Sequence, residues 1–398
     1  MEPYIPSPLP LADLKWGRLV KPIAEANAAV ARYDGLLQGI VNPSVLLAPL
    51  AVQEAQRSAR IEGSQVTVEE VYEFKASGVA NEKKRDDLQE ILNYSKGMQE
   101  AVTHLTRRPL SLNLVKELHA ELMDRSVRGS NKEPGRFRCR QVFIGRYGAK
   151  IEEASYVPPP PASLPGLLGN FESYLHFDER DRLTQLAIIH AQFELIHPFL
   201  DGNGRLGRML VPVFLFEKGI LFAPMFYISD YLDKNRDEYI DRLAAISASD
   251  DWLGWIEFFL RAVTEQARTN GEKARAILDL YEKMKREVVD LTVGARVGER
   301  RLPADRHPFV GIGGIHDDQR DARVAGQVVG LGAAVGGVER DALRVHVHPD
   351  DRRVRRAVGP QRRCDADVRV LQKVLLLLAE RGHVRLLRGV LRSNARTG

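Results

Sequence analysis

Cysteine is nearly absent from this chain: Cys139 and Cys364 are the only two thiols, and they lie far apart. That pattern excludes a disulfide framework and a zinc-ligand cluster, and makes a reducing cytosol the expected compartment. Long hydrophobic runs are missing as well. The longest, such as MLVPVFLF, fall well short of a membrane span. The first residues, MEPYIPSPLPLADLKW, lack the basic-then-apolar order of a secretory signal, so none is expected. Lysine, tyrosine, tryptophan, serine and asparagine all but vanish after residue 292, where one lysine, one serine and one asparagine remain.

What is present divides the chain at that same point. The whole carries +5, but residues 1–292 hold −4 and residues 293–398 hold +9. The basic balance therefore belongs to the last segment and gives no reason to expect nucleic-acid binding by the body. A run biased to Arg, Gly, Val and Ala, with neither 3.6 nor 2.0 periodicity over 311–349, reads as irregular apart from a helical stretch at 368–392. Two origins fit it: a GC-rich coding region read out of frame from about codon 293, or an Arg-rich interaction tail able to bind nucleic acid non-specifically. His346 and His348 within it form an HxH pair with no second ligand cluster.

At 398 residues the chain has room for two or three domains. The body reads as mainly α. Helices are expected over 22–39, 47–62, 67–77, 82–104, 111–123, 163–177, 181–196, about 206–219, 229–247, 251–270 and 271–291. Thr67 with Glu70 three residues on is a capping box, and Ser111 is an N-cap. Between 129 and 161 the character changes. QVFIG, then RYGAK, then ASYV ahead of four prolines fit a β-hairpin that ends in an extended stretch. The expected divisions are 1–108, a helical region containing the 47–62 helix; 109–265, a core; 266–292, a closing helix; and 293–398, the tail.

The densest chemistry lies in IHPFLDGNGRLGR, residues 196–208. Gly202 and Gly204 permit positive φ, so successive N–H groups can turn inward to form an anion nest. The helix that follows adds its positive end. Arg205 and Arg208 are three apart and can grip phosphate oxygens from one side. Asp201 stands where a Mg²⁺ ligand belongs beside a polyphosphate, and it can equally serve as an N-cap. His197 at the other lip can accept a proton near neutral pH. These parts describe transfer of part of a nucleotide to an alcohol. The spacing is not that of a Walker P-loop.

The same residues, HPFLDGNGRLGR, resemble the Fic signature HxFx(D/E)GNGRxxR at every fixed position. PGRFR (134–138), VFIG (142–145), VPPPP (157–161) and YISDYLDKNRDEYIDRL are also similar to that family, so the resemblance covers about residues 10–290. It implies a Fic fold, a helical bundle with a β-hairpin flap. It also implies protein adenylyltransferase activity: AMP moves from ATP to a Ser, Thr or Tyr hydroxyl, and pyrophosphate leaves. By position His197 would be the base and Asp201 the Mg²⁺ ligand. Gly202, Asn203, Gly204, Arg205, Leu206, Gly207 and Arg208 would form the phosphate site, with Arg208 on the γ-phosphate and Phe199 anchoring the loop. Gly204 stands where phosphorylating relatives carry lysine. Asn235 would line the nucleotide pocket. Ile144, in the hairpin of residues 141–157, would hold the target segment by strand addition. The winged-helix segment common at this end of similar proteins has no match in 293–398. Such proteins often form homodimers.

SARIEG, residues 58–63, resembles the family's inhibitory signature (S/T)xxxE(G/N). Glu62, disfavoured by its own helix's dipole at a C-terminus, would neutralise Arg208 and weaken ATP binding. Two other readings stay open: removal of AMP from a modified protein with Glu62 positioning a water, or transfer of another nucleotide-linked group, by the same fold; and a non-enzymatic DNA- or partner-binding regulator. His190, on an apolar helix, reads as a core histidine. Cys139 reads as inert.

Overall fold

The computed structural model describes residues 2–40, 42–124, 132–145 and 150–299. It divides into two units, Met1–Asp279 and Leu280–Gly398. The tail from 300 onward, with its expected helix, Cys364 and the HxH pair, lies outside the described residues.

The first unit is built from helices. α1 (Trp16–Gln38) starts six residues before the expected Pro22 and carries that proline inside. Burial of Leu19 and the seat of Trp16 under the Arg180 guanidinium outweigh the one backbone bond that Pro22 cannot make. A short α2 (Pro43–Leu46) leads into α3 (Ala48–Ile61). α4 (Val68–Ser77) opens with the expected capping box of Thr67 and Glu70 and closes on Gly78 in the left-handed region. α5 (Glu82–Leu105) is capped by Asn81, and α6 (Leu112–Leu122) by Ser111.

The expected β-hairpin over 141–157 does not form among the described residues. Its two arms meet only in an isolated antiparallel bridge between Ile144 and Tyr156. Ile151–Glu153 folds into a single 3-10 turn, and the prolines from Pro158 onward bring no ladder donors. Residues 146–149 of the expected turn lie outside the description.

α7 (Leu164–Leu175) precedes α8 (Arg182–Ile196), capped by Asp181. Thirteen of the fifteen residues of α8 are buried, as a helix packed by α1, α7, α9 and α11 requires. α9 (Asn203–Glu217) runs through Pro212. The expected single helix at 229–247 breaks at Asn235 into α10 (Ser229–Lys234) and α11 (Arg236–Ser249). α12 (Trp252–Glu299) does not stop at Gly271 but runs through it. Among the described residues no helix is long and apolar enough to cross a membrane.

Candidate active site

The turn from α8 to α9 carries the motif. His197 ends α8 in the left-handed region, φ 48° and ψ 61°, an uncommon conformation for a residue with a Cβ. Gly202, φ 77°, starts α9 with no side chain capping it. The loop between is braced from inside. Asn203 accepts from Phe199 N (2.9 Å) and donates to Phe199 O (3.0 Å). Phe199 is fully buried and stacks on His119, with ring centroids 3.8 Å apart. His119 Nδ1 accepts from Gly135 N (2.8 Å), which leaves Nε2–H to donate to Asp201 O (3.0 Å). Burial holds its pKa down at about 4, so the ring stays neutral and keeps that donor pattern.

The expected nest is therefore only half a nest. Gly202 takes the left-handed turn, but Gly204 is helical, in the first turn of α9. Its lack of a side chain matters for space. A Cβ on Gly204 would collide with Glu62 Oε1 and stand 3.1 Å from Arg208 Nη1. The uncapped first turn of α9 still presents free N–H groups and a positive dipole end. Leu206 is wholly buried, and its N–H is taken by Gly202 O. Gly207 packs on α8, where a Cβ would meet Glu194.

Both arginines are held by carboxylates from the N-terminal helices. Arg208, 1% exposed, donates from Nη2 to Glu62 Oε1 at 2.7 Å, from Nε to Ser58 Oγ at 3.0 Å and from Nη2 to Ser58 O at 2.9 Å. Ser58 and Glu62, one helical turn apart on α3, thus meet the same guanidinium. Burial opposes charge on Glu62, but Arg208, with Arg205 and His197 behind it, keeps its carboxyl below the ordinary range. The Glu62 side chain remains 44% exposed. Arg205 forms a buried pair with Glu90 of α5 and a 3.2 Å pair with Asp201.

His197 Nδ1 lies 3.3 Å from Glu194 O, so Nδ1 carries the proton and Nε2 keeps its lone pair. Burial lowers its pKa to about 4, and the imidazole is neutral at physiological pH. Two buried carboxyls flank the arginine site, Glu54 on α3 and Glu194 on α8, each raised to about 7 by desolvation. His190 is the core histidine expected, bonded to Gly207 O and the Tyr239 hydroxyl and stacked on Trp255.

Asn235 is not drawn into this cluster. Its amide donates to Tyr231 O (2.9 Å), and among the described residues it makes no hydrogen bond to 197–208. Ile144 lies on the bridged segment, 43% exposed. Among the described residues no three His, Cys, Asp or Glu side chains gather as a metal site. Asp201, 39% exposed at its side chain, offers a carboxylate to a cation.

Residues 109–215 match the model of the Fic/DOC family, and residues 20–103 match that of the Fic/DOC family N-terminal region. Residues 20–215 thus carry the two regions of the Fic/DOC family. Among curated relatives of this family, a probable protein adenylyltransferase of Aquifex aeolicus (strain VF5) is 33% identical over 117 residues, 29% of this chain and 32% of that protein. Protein adenylyltransferase Fic of Drosophila grimshawi is 29% identical over 172 residues, 42% of this chain and 33% of that protein. The chain thus spans about a third of the length of these relatives. A solved Fic family protein from Desulfovibrio desulfuricans G20 has the same fold, with a TM-score of 0.54 and 24% identity over 67% of this chain and 76% of that one.

Sequence reasoning does not find Glu90, His119, Tyr239 or Arg236, whose Nε reaches Ile61 O at 3.1 Å and closes α3. Arg236 and Tyr239 fall within the quoted YISDYLDKNRDEYIDRL stretch without a spacing that marks them, and Glu90 and His119 lie in no quoted motif. Each is made important by a partner on a distant helix.

Proposed function

We propose that this protein is an autoinhibited protein adenylyltransferase, moving AMP from ATP to a hydroxyl of a target protein and of itself. One observation carries the reading: the Glu62 carboxylate lies against Gly204 in the uncapped first turn of α9 and pairs with Arg208. That is an anion seated at an anion site. A nucleotide phosphate would be recognised there by the same donors, so Glu62 and a terminal phosphate compete for Arg208.

In the reaction the hydroxyl oxygen of the target bonds to the α-phosphorus of ATP. The bond from that phosphorus to the pyrophosphate oxygen breaks, and pyrophosphate leaves with the electron pair. The hydroxyl proton passes to His197 Nε2, the free lone pair of the neutral ring. Arg205 and Arg208 offset charge on the phosphates. Anionic phosphates nearby also raise the basicity of His197 from its depressed value. The donor set suits Mg²⁺, which takes one or two carboxylates and fills its shell with water and phosphate oxygens. Asp201 would hold it, and it would supply further charge neutralisation on the phosphates. The exposed segment around Ile144 is the proposed seat for the target chain, which would extend the bridged strand edge.

Transfer from labelled ATP by wild type, Glu62→Gly and His197→Ala proteins tests the reading. Incorporation is expected to rise in Glu62→Gly and vanish in His197→Ala. Equal incorporation by Glu62→Gly and wild type removes the autoinhibition.

A further inference from the structure

The stretch PGRFR ends in an arginine that the phosphate chemistry leaves without a task. Arg138 is 2% exposed, yet it sits outside the arginine–phosphate cluster. Its donors go to backbone carbonyls. Nε reaches His197 O at 2.8 Å, Nη2 reaches Pro159 O at 2.6 Å and Ile196 O at 3.4 Å, and Nη1 reaches Arg140 O at 3.2 Å. Its own N–H donates to Pro198 O at 2.9 Å. The Tyr156 hydroxyl adds a bond to Leu195 O at 2.7 Å. Four consecutive carbonyls, 195 to 198, are thus satisfied by groups from the segment 138–156. These are the carbonyls at and just beyond the end of α8, where a helix leaves acceptors without internal partners.

The consequence falls on His197. A left-handed conformation at a residue with a Cβ is unfavourable and persists only when its surroundings hold it. Here the carbonyl of that same residue is fixed by a buried, charged, fork-shaped donor. The fork's other arm holds Arg140 and Pro159, which flank the bridged segment. We propose that Arg138 is a positioning residue for His197: it caps α8 from the flap side and so ties the orientation of the imidazole to the placement of residues 140–159. The catalytic half of this inference rests on His197 being the base. The conformational half does not.

The test uses the full chain in the Glu62→Gly background. Arg138→Lys keeps the charge but cannot span carbonyls on two segments, and Tyr156→Phe removes only the bond to Leu195. Three quantities are read: kcat and KM for ATP, the melting temperature, and the His197 imidazole resonances, assigned with His197→Gln. For Arg138→Lys, kcat is expected to fall about 100-fold, the cost of a misplaced catalytic group. KM for ATP should stay within about twofold, because ground-state binding is untouched. The His197 signal should shift or broaden. Tyr156→Phe should show the same signature at roughly fivefold in kcat. A folded Arg138→Lys protein with unchanged kcat and an unmoved His197 signal overturns the proposal, as does a loss confined to KM. If Arg138→Lys does not fold, Tyr156→Phe decides: an unmoved His197 signal there overturns it. If the signals move while Glu62→Gly with Arg138 intact transfers no AMP, the positioning stands and the catalytic reading of the site falls.

Discussion

Replacing Glu62 by glycine should make the protein less stable and at the same time a better binder of ATP, and one quantity sets both effects. The pair it breaks has one partner fully buried and the other 44% exposed, at 2.7 Å. Breaking a fully buried pair costs about 3–5 kcal/mol, and an exposed one contributes about 0.2–1 kcal/mol. Solvent around Glu62 and the remaining bonds of Arg208 to Ser58 put this case between the two, at about 1–3 kcal/mol. For a domain of this size that is a fall in melting temperature of roughly 2–10 °C. ATP bound to wild type must displace the same carboxylate, so its affinity is weakened by the same amount, about 5- to 150-fold. Thermal scans with and without ATP read both. Glu62→Gly should melt lower without nucleotide and be raised more by it, by about 2.7 kcal/mol at a hundredfold excess over Kd. Glu62→Gln, which keeps an acceptor without the charge, should fall between the two. Equal ATP affinity in wild type and Glu62→Gly, with equal melting temperatures, would refute the competition between carboxylate and phosphate.

Two further substitutions probe the shell around the arginines. Glu54 is 3% exposed with its pKa raised to about 7 by burial, despite hydrogen bonds from Ser229 and the attraction of Arg208. Tyr94, Tyr227 and Asp230 face it from the other packed elements. The folded state therefore holds this proton more tightly than the unfolded one, and wild-type stability contains a component that is lost as pH rises from about 4.5 to about 7. Glu54→Gln stays neutral, so its stability relative to wild type should rise by about 3 kcal/mol between pH 5 and pH 8; parallel pH profiles in urea unfolding would sink this. Glu90→Gln strips the buried pair from Arg205 and leaves only the Asp201 contact. It should cost about 3 kcal/mol in urea and lower ATP affinity, and a variant with unchanged unfolding midpoint would show that Arg205 does not depend on α5.

Much of this was legible in the sequence where the signal is local. The capping box at Thr67 and the N-cap at Ser111 mark helix starts with side chains that bond within three residues, so sequence carries the whole interaction. The run from His197 to Arg208 is similarly compact, and the structure brings it together with Glu62. Legibility fails where a distant partner decides. Gly204 reads as a nest glycine until α3 is laid across it; then its missing Cβ proves to be the space that Glu62 fills. The hairpin reads well by alternation, yet a 3-10 turn and a proline run leave one bridge. Pro22 and Gly271 look like boundaries, but α1 runs through the first, with Leu19 buried, and α12 through the second. Glu90 and His119 have no sequence signal at all, and Arg138 ends the quoted PGRFR stretch with no role readable there, because their meaning is the carbonyl or guanidinium on another segment.

The most direct measurement is the intact mass of the Glu62→Gly protein after incubation with ATP and Mg²⁺, beside the same protein with His197→Ala added. The account predicts a species heavier by one AMP in the first, with pyrophosphate released in equal amount, and none in the second. ATP consumed without any covalent AMP, or AMP attached equally when His197 is gone, would contradict it.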